Sequence, residues 1–240
     1  METFCEVSCH LQRAGQGDGV ILLHGWGQDM RMMRLIQNEL KSHYRVINLD
    51  LPGFGQSEEP DQPWGIEQYA QFIHALAAHE QMKAPILIAH SFGARIAIRY
   101  AAMYPVKKMV LSGAAGIRAP LSWQRRASQG WHKLKKKLGM RGSGGSVDYQ
   151  KASPRMKQVL VRVVNEDLSP YLRQIECPVL LVWGSEDRET PLWMGRKMEH
   201  DIPNARMIIY RGEDHFAYYH QGFRFMKDVC AFLGCDDDLD

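Results

Sequence analysis

The stretch ILIAHSFGAR, residues 86–95, decides how this chain is read. Four apolar residues run into a histidine and a serine, and a glycine and an alanine then open a helical pattern. A strand that turns sharply into a helix at a serine needs small residues on both flanks, and Ala89 and Gly93 supply them. Such a bend lifts the Ser91 hydroxyl above the carboxyl edge of a sheet. It also sets the hydroxyl beside the first free N–H groups of the helix, which favour developing negative charge. Taken alone, the pentapeptide AHSFG leaves two readings open: an exposed nucleophile, or a serine that merely caps the helix.

The surroundings of this stretch indicate the fold class. Apolar runs at 19–25 (GVILLHG), 44–50 (YRVINLD), 107–113 (KKMVLSG), 177–184 (CPVLLVWG) and 205–210 (ARMIIY) read as strands, like the one at 84–90. They are continuous rather than alternating, as parallel strands covered on both faces are. Amphipathic patterns at 31–41, 66–81, 92–104, 192–202 and 222–233 stand between them. This alternation predicts an α/β chain with a doubly wound, mostly parallel sheet. One strand-like run, 4–11, precedes Val20 and would add an edge strand.

The alternation breaks once. More than 60 residues separate Ser112 from Cys177 without a strong strand, and they hold a GSGGS loop at 142–146 and a helical pattern at 153–165. An excursion of that length is ordinarily functional. We read residues 114–165 as a small helical cap inserted in a core domain made of residues 1–113 and 166–240.

With 240 residues, 45% hydrophobic and 24% charged, the chain can bury one sizeable core without disulfides or metal. No apolar run approaches the roughly 20 residues of a membrane span. Met1–His10 lacks the basic start and apolar stretch of a signal peptide, so a cytoplasmic location is the expectation. Five cysteines without CxxC spacing read as free thiols, and no Cys/His grouping has the spacing of a zinc site.

A serine hydroxyl is a poor nucleophile near neutral pH until a base takes its proton, and that base needs an orienting acid. His215 lies just beyond the run 205–210, and Asp187 just beyond 177–184. Each therefore leaves the sheet at the same edge as Ser91, where open α/β sheets bind ligands. Glu186 and Asp214 compete for the acid's role. Neighbouring residues on a turn point differently, so at most one of Glu186 and Asp187 faces the histidine, and Asp214 is poorly placed to reach the ring beside it. His90 stands at an elbow position that faces the packing. LLHGWG, residues 22–27, ends a strand in a glycine-rich turn. There the N–H of Trp26, with that of Phe92, would hold an oxyanion; otherwise the turn is simply tight.

Together, HGWG (24–27), DLPGFGQS (50–57), AHSFGA (89–94), GSEDRETP (184–191) and GEDHF (212–216) resemble the α/β-hydrolase fold superfamily in order and spacing, over nearly the whole chain. The resemblance implies Ser91 as nucleophile, His215 as base and Asp187 as its orienting partner, with the main-chain amides of Trp26 and Phe92 as the oxyanion hole. Asp50 and Gly53 fall in the family's structural turn. It further implies a cap after the family's sixth strand, the one ending near Gly113, and acyl-enzyme chemistry that needs no cofactor. Two departures stand out: Ala89 where the elbow more commonly has glycine, and an amino-terminal hairpin shortened to one run.

Substrate is less legible. Trp26, Phe92, Trp123 and Trp131 either line a pocket or pack a core. From Arg118 to Arg141 there are eight Lys/Arg and no acid, which leaves 22 basic against 27 acidic residues elsewhere in a chain of net charge +3. That run is either a solvated helix face or a docking site for an acidic partner or substrate: acyl carrier protein, a carboxylate-bearing ester, or an anionic lipid surface. In the second case it would resemble esterases of pimeloyl-acyl-carrier-protein methyl ester. No RNA- or DNA-binding motif accompanies it, so nucleic acid is not expected. Three functional classes follow: hydrolase of a small-molecule carboxylic ester or thioester, C–C bond hydrolase of the ring-fission-product type, and a non-catalytic binder. The intact Ser91, Asp187 and His215 set argues against the last.

Overall fold

The computed structural model describes residues 1–118, 150 and 152–235. The chain opens with an antiparallel hairpin of β1 (Glu2–Phe4) and β2 (Val7–Cys9). The single run expected over 4–11 is broken between them, because Cys5 and Glu6 adopt left-handed backbone, φ 47° and 64°. Positive φ at both central residues is what a two-residue hairpin connection demands. With β3 (Leu11–Ala14), three short strands precede Val20, not one.

The remaining strands are β4 (Gly19–Leu23), β5 (Arg45–Leu49), β6 (Ile86–His90), β7 (Lys108–Ser112), β8 (Val179–Gly184) and β9 (Ala205–Tyr210). They form one sheet with β3, in the order β3-β5-β4-β6-β7-β8-β9. Only the β3–β5 pair is antiparallel; every other neighbour runs parallel. In chain order, the helices among the described residues are α1 (Arg34–Leu40), α2 (Ile66–His79), α3 (Phe92–Ala101), α4 (Pro154–Asn165), α5 (Leu192–Asp201), α6 (Ala217–His220) and α7 (Gly222–Leu233).

Successive strand residues point to opposite faces, and the apolar runs fill both. Ile21, Leu23, Leu87, Ala89 and Leu181 join one core with residues of α2, α3, α4 and α5. Val20, Leu22, Ile88, Val110 and Val182 join the other with α1 and α7. Each fully buried Leu or Ile contributes about 1.5–3 kcal/mol, so continuous apolar strands hold helices on both sides. The connections out of β4 and β6 lead to opposite sides of the sheet, towards β5 and β7. The carboxyl ends of β4 and β6 thus flank the topological switch point, the place where such sheets take ligands.

The described part of the excursion between β7 and β8 includes α4 and a 3₁₀ turn, Ser169–Gln174. Ser153 caps α4 by accepting from Met156 N–H, and Met156, Val159 and Val163 pack into the core beside α3. Arg95 of α3 donates to the carbonyls of Val163 at 2.6 Å and Glu166 at 3.1 Å, tying the end of α4 down. We propose the division into a core of 1–113 and 166–240 with a cap over 114–165. Trp123, Trp131 and every residue of the basic run except Arg118 lie outside the described residues.

Candidate active site

Ser91 occupies the single residue between β6 and α3, with φ 50° and ψ −105°. A non-glycine residue there carries strain of about 1–3 kcal/mol, which surrounding structure must hold. Two contacts do so. Ser91 N–H donates to Ser112 O on β7 at 3.1 Å. Gly93 lets α3 lean onto the end of β4, since a Cβ there would stand 2.3 Å from Leu23 O. The Ser91 side chain makes no helix-cap hydrogen bond, which disposes of the capping alternative.

The hydroxyl instead donates to His215 Nε2 at 2.9 Å, and His215 Nδ1 donates to Asp187 Oδ2 at 2.8 Å. Three residues far apart in sequence therefore meet at one rim, past the ends of β6, β8 and β9. Asp187 and His215 are each 5% exposed. Burial works to raise the Asp187 carboxyl, but hydrogen bonds from His215 and Thr190 outweigh it and hold the group below the usual carboxylate range.

The competing groups are placed elsewhere. Glu186 is exposed, with its N–H on Glu213 O. Asp214 Oδ1 accepts from Phe216 N–H at 2.8 Å. His90 is fully buried and donates through Nδ1 to Ser112 O at 3.1 Å. Burial, aided by the nearby His215, pushes its imidazole down to about 3, so it stays neutral and is no base near neutral pH. Asp50 accepts from Met30 N–H, Gln56 N–H and His10 Nδ1, a structural knot as the resemblance implied.

The Gly25–Gly27 turn is fixed from inside. Gly25 N–H donates to Gln28 Oε1 at 3.0 Å, and His24 Nδ1 donates to Gly25 O at 2.8 Å. Among the described residues, neither Trp26 N–H nor Phe92 N–H has an intrachain acceptor. The Phe92 ring is buried in edge-on contact with Trp26 and Tyr69, so it packs rather than lining the cleft. A cleft of about 530 Å³ opens over Ser91 and His215, walled by Trp26, Phe54, Glu59, Met156, Glu189 and Phe216.

Three participants went unremarked in the sequence. Thr190 touches both Asp187 and His215; its signal is a threonine three residues after an aspartate, a pairing that favours side-chain-to-backbone turns. His24 accepts Leu51 N–H at Nε2, 2.9 Å away, joining the two turns that flank the cleft. Gly113 has φ 50°, and a Cβ on it would stand 3.0 Å from His215 Nδ1. Glu2, His79 and Glu80 form a metal-capable group among the described residues, but Arg13 already bonds both carboxylates.

A sequence profile of the alpha/beta hydrolase family matches residues 20–226. The chain is 26% identical to the 2-hydroxy-6-oxo-6-phenylhexa-2,4-dienoate hydrolase of Comamonas testosteroni, over 93% of this chain and 90% of that one. It is 23% identical to the pimeloyl-(acyl-carrier protein) methyl ester esterase of Vibrio vulnificus, over 94% and 98% of the two chains. Among solved structures, the esterase EaEST of Exiguobacterium antarcticum matches with a TM-score of 0.77 at 20% identity, covering 95% of this chain and 96% of that one. That last likeness speaks for the fold alone. The family match spans most of the chain, both halves of the sheet included, and the chain belongs to the α/β-hydrolase family.

Proposed function

We propose that the protein is a serine hydrolase that cleaves a carboxylic ester or thioester of a small to medium acyl substrate. The observation that carries this reading is the 2.9 Å contact of Ser91 Oγ with an imidazole nitrogen whose partner nitrogen stands 2.8 Å from Asp187. His215 takes the Ser91 proton as the oxygen attacks the acyl carbon, and the amides of Trp26 and Phe92 receive the oxyanion. Collapse expels the alcohol or thiol, which His215 protonates. Water, deprotonated by the same imidazole, then releases the acid from Ser91. No step calls for a cofactor.

Two extensions have specific support. The basic run 118–141, with the likeness to an esterase of an acyl-carrier-protein-linked substrate, favours an acidic or carrier-linked ester docked through acyl carrier protein. The likeness to a dienoate hydrolase favours cleavage of a C–C bond by the same three residues.

A panel of p-nitrophenyl esters of graded chain length tests the main reading. Turnover is expected for the wild type and a loss of about 10⁴-fold or more for Ser91→Ala. Turnover of a 2-hydroxy-6-oxo-dienoate without ester turnover would move the assignment to C–C hydrolysis. Failure of a fluorophosphonate to label Ser91 would leave a binder. Neutralising Lys135, Lys136 and Lys137 should lower kcat/KM for anionic esters and flatten its salt dependence; unchanged values remove the docking role.

A further inference from the structure

We propose that the hydroxyl of Thr190 is a positioning group that locks the Asp187 carboxylate and, through it, the imidazole of His215. The proposal rests on the serine-hydrolase reading above and adds a fourth side chain to it. Thr190 is 5% exposed and is held at both ends of its own peptide. Its N–H donates to Asp187 Oδ1 at 2.8 Å, and its carbonyl accepts the indole N–H of Trp183, the next-to-last residue of the buried β8, at 2.7 Å.

Three acceptor-capable atoms surround the hydroxyl: Asp187 Oδ2 at 2.8 Å, Gly113 O at 3.1 Å and His215 Nδ1 at 3.3 Å. The hydroxyl has one proton, and His215 Nδ1 already donates its own to Asp187. A carboxylate is the stronger acceptor and here the nearer one, so the proton belongs on Asp187 Oδ2. Given to Gly113 O instead, it would leave two bare oxygens facing each other at 2.8 Å.

With that proton placed, the carboxylate is saturated. Oδ1 accepts from Glu189 N–H and Thr190 N–H, and Oδ2 accepts from His215 Nδ1 and Thr190 Oγ. Those four bonds fill the acceptor sites a carboxylate offers. The group can neither rotate nor concentrate its charge on the imidazole. Gly113 completes the frame, and the strand end it belongs to holds both sides of the site. Ser112 O takes the Ser91 N–H, while Gly113 O faces the Thr190 hydroxyl. β7 supplies no member of the proposed triad, yet it sets the distance between nucleophile and acid.

Thr190→Val keeps the bulk and removes the hydroxyl; Thr190→Ser restores the hydroxyl without the methyl. The groups facing His215 are Asp187, Thr190, Ser91, the Glu189 carboxylate 3.5 Å from Nε2, and the His90 ring at a centroid distance of 4.7 Å. In the valine variant, kcat on a p-nitrophenyl ester should fall about tenfold with KM unchanged. The acid limb of kcat should move up by on the order of half a pH unit, because a carboxylate with one donor fewer favours the imidazolium. The serine variant should return both. An NMR titration of the His215 imidazole reads the same shift without turnover. Wild-type kcat and an unmoved titration in the valine variant would overturn the proposal. So would a serine variant as impaired as the valine one, which assigns the effect to the methyl. A His215 shift in a protein with no ester turnover at all would keep Thr190 in this role and count against the serine-hydrolase reading instead.

Discussion

Asp50 and Asp187 both stand just past the carboxyl end of a strand, and each lies against an imidazole: Asp50 against His10 at 2.9 Å, Asp187 against His215 at 2.8 Å. Exposure does not separate them, at 2% and 5%. What separates them is the company kept by their remaining oxygens and by the far side of the ring. Asp50 takes one main-chain N–H group from a distant loop, Met30 at 2.8 Å, and one from six residues on in its own turn, Gln56 at 2.9 Å, and so staples the two together. Asp187 takes its main-chain donors from its own turn, two and three residues on, and the imidazole it holds reaches the Ser91 hydroxyl in an open cleft. An Asp–His contact is therefore a structural unit of no fixed meaning. It becomes chemistry when the second ring nitrogen meets a group with a proton to lose.

The largest effect expected from this contrast belongs to Asp187→Asn. Asparagine can still accept the two turn N–H groups, so the fold should persist. It cannot hold the Nδ1–H tautomer, so kcat on esters should fall by about 10³–10⁴-fold. Asp50→Asn should behave in the opposite way. Turnover per folded molecule should stay within about threefold of wild type, while urea unfolding shows a loss of about 2–4 kcal/mol, since buried donors lose a charged acceptor. Catalytic collapse in Asp50→Asn at unchanged stability would break the comparison.

The parts of this molecule that sequence made legible are those where chemistry or burial restricts the residue type. The run 205–210 coincides with β9, and 44–50 overshoots β5, Arg45–Leu49, by one residue at each end. Ser91, Asp187 and His215, which the structure brings into contact, stood out because each follows an apolar run at the carboxyl edge of the sheet. The hairpin was hidden because Cys5 and Glu6 are not turn-forming types, and only the pairing of β1 with β2 holds them at positive φ. The helical pattern 31–41 begins as a 3₁₀ turn, Met30–Met33, because Asp29 accepts Arg31 N–H and opens the turn early. Thr190 and His24 escaped for a different reason: their roles lie in single atoms two or three contacts away in space, which no local pattern encodes.

The smallest expected effect sharpens the same contrast from the side of the imidazoles. His24 and His90 are fully buried and, unlike His10 and His215, touch no carboxylate. Burial pushes both pKa values down, that of His90 to about 3. The unfolded chain takes up a proton on each near pH 6.5 and the folded protein does not. Stability is therefore full above about pH 6.5 and falls with decreasing pH, by up to about 1.4 kcal/mol per pH unit for each ring. Asp187 adds its own loss only further down, as pH drops below about 4 towards its depressed folded value. Urea unfolding across a pH series should thus show weakening that begins near pH 6, well before carboxylates protonate. His90→Asn, which can still donate to Ser112 O, should remove about one proton from that slope between pH 6.5 and 4. An unchanged slope would mean that the buried ring is charged when folded, its second nitrogen donating to an acceptor.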